Sequence, residues 1–124
     1  MALERPTIPK EDRQPPQYLE IDDLVVGDGD EAKPGTNIDV HYVGSSLSTG
    51  AEFDSSWSRN ESFTIPLGAG RVIKGWDQGL VGMKVGGRRK LTIPPHLAYG
   101  AASPSPLIKP NETLIFVVDL LAVH

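Results

Sequence analysis

The sequence predicts an α+β domain in which an antiparallel sheet faces a single short helix. Its 124 residues match the size of one domain and suffice for one hydrophobic core. From Tyr18 onward, short apolar runs alternate with turn residues, a pattern typical of antiparallel sheets. Only one segment has apolar residues at helical intervals of three and four. We therefore expect one strand-rich domain over residues 18–124.

Residues 1–17 differ from the rest of the chain in composition. Prolines stand among charged residues there, with no apolar periodicity. This pattern predicts a flexible, Pro-rich N-terminal tail. The first six residues contain no apolar signal core, and no stretch reaches the ~20 apolar residues of a membrane span. We expect a cytoplasmic protein without a membrane partner.

The strands are predicted from apolar runs that turn residues separate, at 19–26, 36–43, 52–54, 63–67, 88–93 and 113–123. In the second run the alternation points Tyr42 inward and His41 outward. The last run is apolar on both faces between Leu114 and Val118, as expected of a central strand covered on each side.

The predicted helix contains Val72, Ile73, Trp76, Leu80 and Met83 at helical spacing and ends before Gly86. Three glycines, at 75, 79 and 82, fall within it, and each costs roughly 1 kcal/mol relative to alanine in an exposed helix. We expect these glycines to let the helix approach the sheet closely, so Gly79→Ala should destabilise the protein.

Charge and motif content exclude several classes of function. The net charge of -4 argues against nucleic acid as a partner. The only basic run, residues 88–90, is interpreted as the solvated start of a strand. Three scattered histidines and no cysteine predict no metal site, and no phosphate-binding loop or nucleophile elbow is present. An apolar, aromatic pocket that needs no cofactor is what remains.

Five motifs then resemble, in order and spacing, the signature of FKBP-type isomerases: Phe53-Asp54-Ser55-Ser56, Val72-Ile73-Lys74-Gly75-Trp76, Leu91-Thr92-Ile93-Pro94, Ala98-Tyr99-Gly100 and Leu114-Ile115-Phe116. The resemblance covers residue 18 to the C-terminus. It implies a half-open antiparallel sheet of about five strands wrapped around one short helix. It also implies a peptidyl-prolyl cis/trans isomerase that acts on proline-containing polypeptides and is inhibited by macrolides filling the same pocket. No spare amphipathic helix suggests a dimer, so we expect a monomer.

The resemblance also implies roles for individual residues. Asp54, the backbone N–H of Ile73 and the hydroxyl of Tyr99 are implied to be catalytic, and Trp76 to be the pocket floor. The other implied substrate-binding residues are Tyr42, Phe53, Arg59, Phe63, Val72, Ile108 and Phe116. Arg59 is expected to pair with Asp54 and with the Tyr42 hydroxyl.

Each of these residues also has a simpler interpretation. Apolar periodicity alone would assign the aromatic residues to the core, and Asp54 before two serines could be a turn or cap residue. A non-catalytic peptide-binding module or chaperone with the same pocket is the alternative function. Arg71, which places charge beside the pocket, and the proline-rich loop 101–110 depart from the family pattern.

Overall fold

The computed structural model describes residues 3–124. Its strands are β1 Glu20–Val25, β2 Asn37–Ser46, β3 Glu52–Ser55, β4 Phe63–Pro66, β5 Arg88–Ile93 and β6 Leu114–Val123. One α-helix, α1, spans Lys74–Gly79, and short 3-10 helices span Trp57–Arg59 and Pro95–Leu97. The predicted antiparallel sheet with one short helix is confirmed. Six strands form it rather than about five, because β4 pairs with β2 beside the main strand order.

The sheet has the order β1-β5-β6-β2-β3, and every pairing is antiparallel. The central strand β6 pairs with β2 along most of its length and with β5 on its other side. Leu114 to Leu120 are all buried, so both faces of this strand are covered, as its composition predicts.

The two faces of the sheet are covered by different parts of the chain. On the inner face, Val40, Tyr42, Phe116 and Val118 join the main core with α1. On the outer face, Val43 is 2% exposed and pairs with buried Val117. Side chains that are directly opposite on paired strands share a face, so this pair forms an outer apolar surface.

Residues 3–17 form neither helix nor strand and lie along this outer surface. Pro6, Ile8 and Val43 line one cavity there, and Arg5 pairs with Glu52 at 2.7 Å. Further along, Glu11 pairs with Lys90 at 2.7 Å. The segment therefore contacts the sheet at both ends, while the flexibility predicted for it stays a prediction.

The basic run at the start of β5 is not solvated as expected. Arg88 pairs with the buried Asp119 at 2.7 Å. Arg89 is only 8% exposed and donates hydrogen bonds to the carbonyl oxygens of Gly79 and Val81, so it satisfies the C-terminal end of α1. These cations lie inside the fold because carbonyl and carboxylate acceptors meet them there.

Helix α1 is shorter than the apolar spacing predicts. Ile73 has extended backbone (φ -59°, ψ 151°) and precedes the helix, and Gly82 lies outside it with φ +87°. The predicted close approach is wrong for Gly82, where an added Cβ would meet nothing within 4 Å. It is confirmed for Gly75 and Gly79, where a Cβ would lie 2.5 Å from Ile93 Cγ2 and 2.8 Å from Leu91 Cδ2.

Candidate functional site

A cavity of about 250 Å³ opens between the inner face of the sheet, α1 and the loop around Tyr99. This volume is near the lower end of the range of small-ligand sites, ~300–1,000 Å³. The lining residues are Tyr42, Phe53, Asp54, Phe63, Arg71, Val72, Ile73, Trp76, Tyr99 and Phe116. Strand β2 supplies Tyr42, β3 supplies Phe53 and Asp54, and β6 supplies Phe116, so long-range pairing assembles the site.

Trp76 lines this cavity and is 3% exposed. The centre of its ring lies 5.1 Å from that of Tyr42 and 5.3 Å from that of Phe116, with angles of 81° and 86° between the ring planes. Edge-to-face packing of this kind is the preferred geometry for aromatic pairs. Phe53 extends the cluster through an 85° contact with Phe116. The rings therefore support one another in fixed orientations and leave one apolar surface facing the cavity.

A hydrogen-bonded triad closes one side of the cavity. The Tyr42 hydroxyl donates to Asp54 Oδ2 at 2.6 Å, and Arg59 donates to Asp54 Oδ1 at 2.6 Å and to the Tyr42 hydroxyl at 2.9 Å. These are the contacts expected of Arg59. The carboxylate also accepts the Ser55 N–H at 2.8 Å, which fits the simpler turn role as well.

The triad fixes the charge state of Asp54. Desolvation raises the pKa of this carboxyl, but the hydrogen bonds from Tyr42 and Arg59 together outweigh it, so the pKa lies below its ordinary value. Burial, followed by the hydrogen bond to Asp54, raises the pKa of Tyr42. At neutral pH the site therefore contains an ionised carboxylate and a protonated phenol.

Three hydrogen-bond donors of cavity-lining residues, the indole N–H of Trp76, the backbone N–H of Ile73 and the Tyr99 hydroxyl, have no partner among residues 3–124. The N–H of Ile73 precedes α1 and donates to no acceptor there. The Tyr99 hydroxyl has no hydrogen bond, and Tyr99 is 40% exposed. Burial, and then the Asp54 charge, raises the pKa of Tyr99, so its hydroxyl remains a donor at neutral pH.

Sequence reasoning missed one residue that shapes the site. Asp77, in the first turn of α1, accepts the N–H of Gly68 at 2.9 Å and that of Gly70 at 3.0 Å. These bonds fix the turn that leads into Arg71 and Val72. The only sequence signal for this role is an acidic residue in the first turn of a helix that follows a glycine-rich turn.

Two predicted binding residues do not line the cavity. Arg59 is the member of the triad that lies behind the cavity wall, with its guanidinium carbon 5.8 Å from the centre of the Tyr42 ring. Ile108 is 4% exposed and belongs to the hydrophobic core. The other nine predicted residues are brought together, with Phe63 at the edge and 39% exposed.

A sequence profile described as FKBP-type peptidyl-prolyl cis-trans isomerase matches residues 29–121. The chain belongs to the FKBP family. It is 53% identical over 124 residues to an FK506-binding protein of Streptomyces anulatus, across 99% of this chain and 100% of that protein. The FKBP signature read from the sequence is thereby confirmed.

Solved FKBP structures share the fold. The crystal structure of AtFKBP13 superposes with a TM-score of 0.78 at 41% identity, covering 89% of this chain and 96% of that one. FkpA from Escherichia coli superposes with a TM-score of 0.76 at 42% identity, covering 86% of this chain and 48% of FkpA. Within residues 3–124, no helix is long and apolar enough to cross a membrane, and no cluster of potential metal ligands is found.

Proposed function

We propose that the chain is a peptidyl-prolyl cis/trans isomerase that accelerates rotation about X-Pro bonds in polypeptides, and that macrolides filling the same pocket inhibit it. The observation that supports the proposal most directly is the aromatic cavity around Trp76, bordered by the unpartnered Ile73 N–H and Tyr99 hydroxyl. An apolar ring fits such a surface, and peptide carbonyls fit the donors.

The chemistry of the reaction suits such a site because no covalent bond to the substrate is needed. Amide resonance sets the barrier, ~18–20 kcal/mol, and the uncatalysed reaction takes tens to hundreds of seconds. The twisted transition state has lost that resonance and is less polarised than the planar ground state. An apolar cavity therefore binds the twisted form better, which is the difference in binding that accelerates a reaction.

Each residue contributes to holding the twist. Trp76 supports the prolyl ring, while the Ile73 N–H and the Tyr99 hydroxyl hold carbonyls of the flanking peptide. Each tenfold in rate requires ~1.4 kcal/mol, so a few such contacts account for a large acceleration. Asp54 is a poor proton donor at neutral pH, since its pKa is lowered, and acts by ordering Tyr42 and Arg59 at the cavity wall.

A proline-peptide exchange assay by NMR tests the proposal. Catalysis at enzyme concentrations far below that of the peptide is expected, with inhibition by a macrolide. Tyr99→Phe should lower kcat/KM by about 2- to 10-fold, the effect of one hydrogen bond of ~0.5–1.5 kcal/mol. Asp54→Ala should have a similarly modest effect, because Asp54 acts by ordering Tyr42 and Arg59. Loss of all activity in Asp54→Ala would instead indicate acid–base chemistry.

Trp76 should affect both binding and folding, because it is buried and contacts several rings. Trp76→Ala is expected to lower the free energy of unfolding by about 3–5 kcal/mol and to abolish macrolide binding. Trp76→Leu keeps an apolar side chain, so it separates loss of the binding surface from loss of the fold.

The alternative is a peptide-binding module or chaperone that uses the same cavity. Stoichiometric peptide binding without catalysis in the exchange assay would favour it. The proposal further includes a monomer that acts in the cytoplasm, as the sequence predicts. Light scattering and cell fractionation test these two statements separately.

A further inference from the structure

We propose that Arg71 makes this site prefer X-Pro bonds that have an acidic residue close to the proline. This inference rests on the proposed isomerase function and adds the charge of the preferred substrate. Arg71 would then be a specificity-determining residue, in contact with the peptide beside the prolyl ring rather than with the ring itself.

The charges around the cavity do not cancel one another. Only two of its lining residues are charged, Asp54 and Arg71. The Asp54 charge is compensated by Arg59 at 2.6 Å. Arg71 is exposed and has no ion pair within the described part of the chain. The mouth of the cavity therefore has an excess positive charge although the whole chain has a net charge of -4.

The nearest acidic side chain along the chain does not compensate the charge of Arg71. Asp77 accepts hydrogen bonds from the backbone N–H groups of Gly68 and Gly70. Its carboxylate thus holds the turn before Arg71 and forms no ion pair with the guanidinium. Lys74, which is also exposed and has no ion pair to any of the residues that the structure describes, adds a second positive charge three residues further on.

The fold also holds Arg71 beside the cavity. The turn before it is fixed by Asp77, and two residues after it the Ile73 N–H borders the cavity at the start of α1. A peptide held at that N–H passes close to Arg71. A guanidinium can hold a carboxylate through two parallel hydrogen bonds, a geometry that favours glutamate over its neutral isostere glutamine.

The size of the effect follows from exposure. Pairs at an exposed site are weak, so a glutamate peptide should exceed the matched glutamine peptide by about 1.5- to 5-fold in kcat/KM. The advantage should shrink as salt is raised from 0.01 to 0.5 M, since the screening length falls from ~30 Å to well under 10 Å over that range.

The experiment measures kcat/KM for peptides with Glu, Gln or Lys placed two residues before the proline or directly after it. We expect Glu to exceed Gln, and Gln to exceed Lys, at one or both positions. Arg71→Gln should remove the difference between Glu and Gln. Lys84→Gln makes the same charge change at an exposed residue on another cleft, lined by Val25 and Met83, and should leave the difference intact.

The outcomes separate the two proposals. If the enzyme catalyses the peptides without preferring Glu, or if the preference for Glu survives in Arg71→Gln, the role of Arg71 is overturned and the isomerase proposal is not. Failure to catalyse any of the peptides would overturn the isomerase proposal itself.

Discussion

The contact between α1 and the sheet is so close that a methyl group added at Gly79 should destabilise the protein. In Gly79→Ala, the new Cβ would lie 2.8 and 2.9 Å from the two Cδ atoms of Leu91. Carbon atoms normally rest ~3.5–4.0 Å apart, so the overlap is about 0.7 Å. Leu91 is 0% exposed and lies on β5 between two other strands, so it has little room to move away.

Two effects of opposite sign determine the result. Helix propensity favours alanine over glycine by up to ~1 kcal/mol. Overpacking of a filled core costs ~1–3 kcal/mol. We expect overpacking to dominate, with the free energy of unfolding lowered by about 1–2 kcal/mol. Gly75→Ala should lower it further, because its Cβ would approach three atoms of Ile93 within 2.9 Å, the nearest at 2.5 Å.

Urea denaturation measures these differences as shifts of the midpoint at constant slope. Gln78→Ala, at an exposed position of the same helix, is the control and should change stability little. In a Leu91→Val background the cost of Gly79→Ala should fall, giving a coupling of about 0.5–2 kcal/mol between the two sites. Unchanged or increased stability in Gly79→Ala would refute the steric argument.

Two further predictions concern the outer surface and the triad. Deleting residues 1–13 exposes the surface around Val43 and removes the ion pairs with Glu52 and Lys90. The free energy of unfolding should therefore fall by about 1–3 kcal/mol, as measured by urea denaturation. An unchanged value would show that this segment does not stabilise the sheet. The lowered pKa of Asp54 means that its network contributes stability above the ordinary aspartate pKa of ~3.9, and that this contribution is lost as pH falls through the lower folded-state value. Asp54→Asn should therefore flatten the pH dependence of unfolding below about pH 4, and identical profiles for the two proteins would contradict the triad.

Local patterns in the chain were sufficient for much of the fold. The bounds of β5 follow directly from the apolar run after the three basic residues, and the run at 114–118 identified a strand covered on both faces. Both conclusions depend on the pattern of apolar and polar residues within a few positions, which is a property of the strand itself. The resemblance to the FKBP family likewise indicated nine residues that line the cavity, seven of them within the ordered motifs.

Other features depend on which segments meet, and local patterns do not contain that information. The apolar spacing from Val72 to Met83 overestimated the helix, because core residues outside α1 reach the same interior from turns. The buried state of Arg89 follows from its meeting the carbonyl of Gly79. The position of Ile108 in the core depends on how its loop packs against the rest of the chain.

By itself, the sequence determined that the chain forms an antiparallel sheet with one short helix, that it belongs with the FKBP family, and which aromatic residues gather around Trp76. Only the tertiary structure decided what covers each face of the sheet and which charges at the cavity are compensated. Arg59 and Arg71 are equally charged in the sequence, yet Arg59 is paired with Asp54 and Arg71 has no ion pair among residues 3–124. That difference arises from the distances between side chains on separate elements, which the fold alone sets.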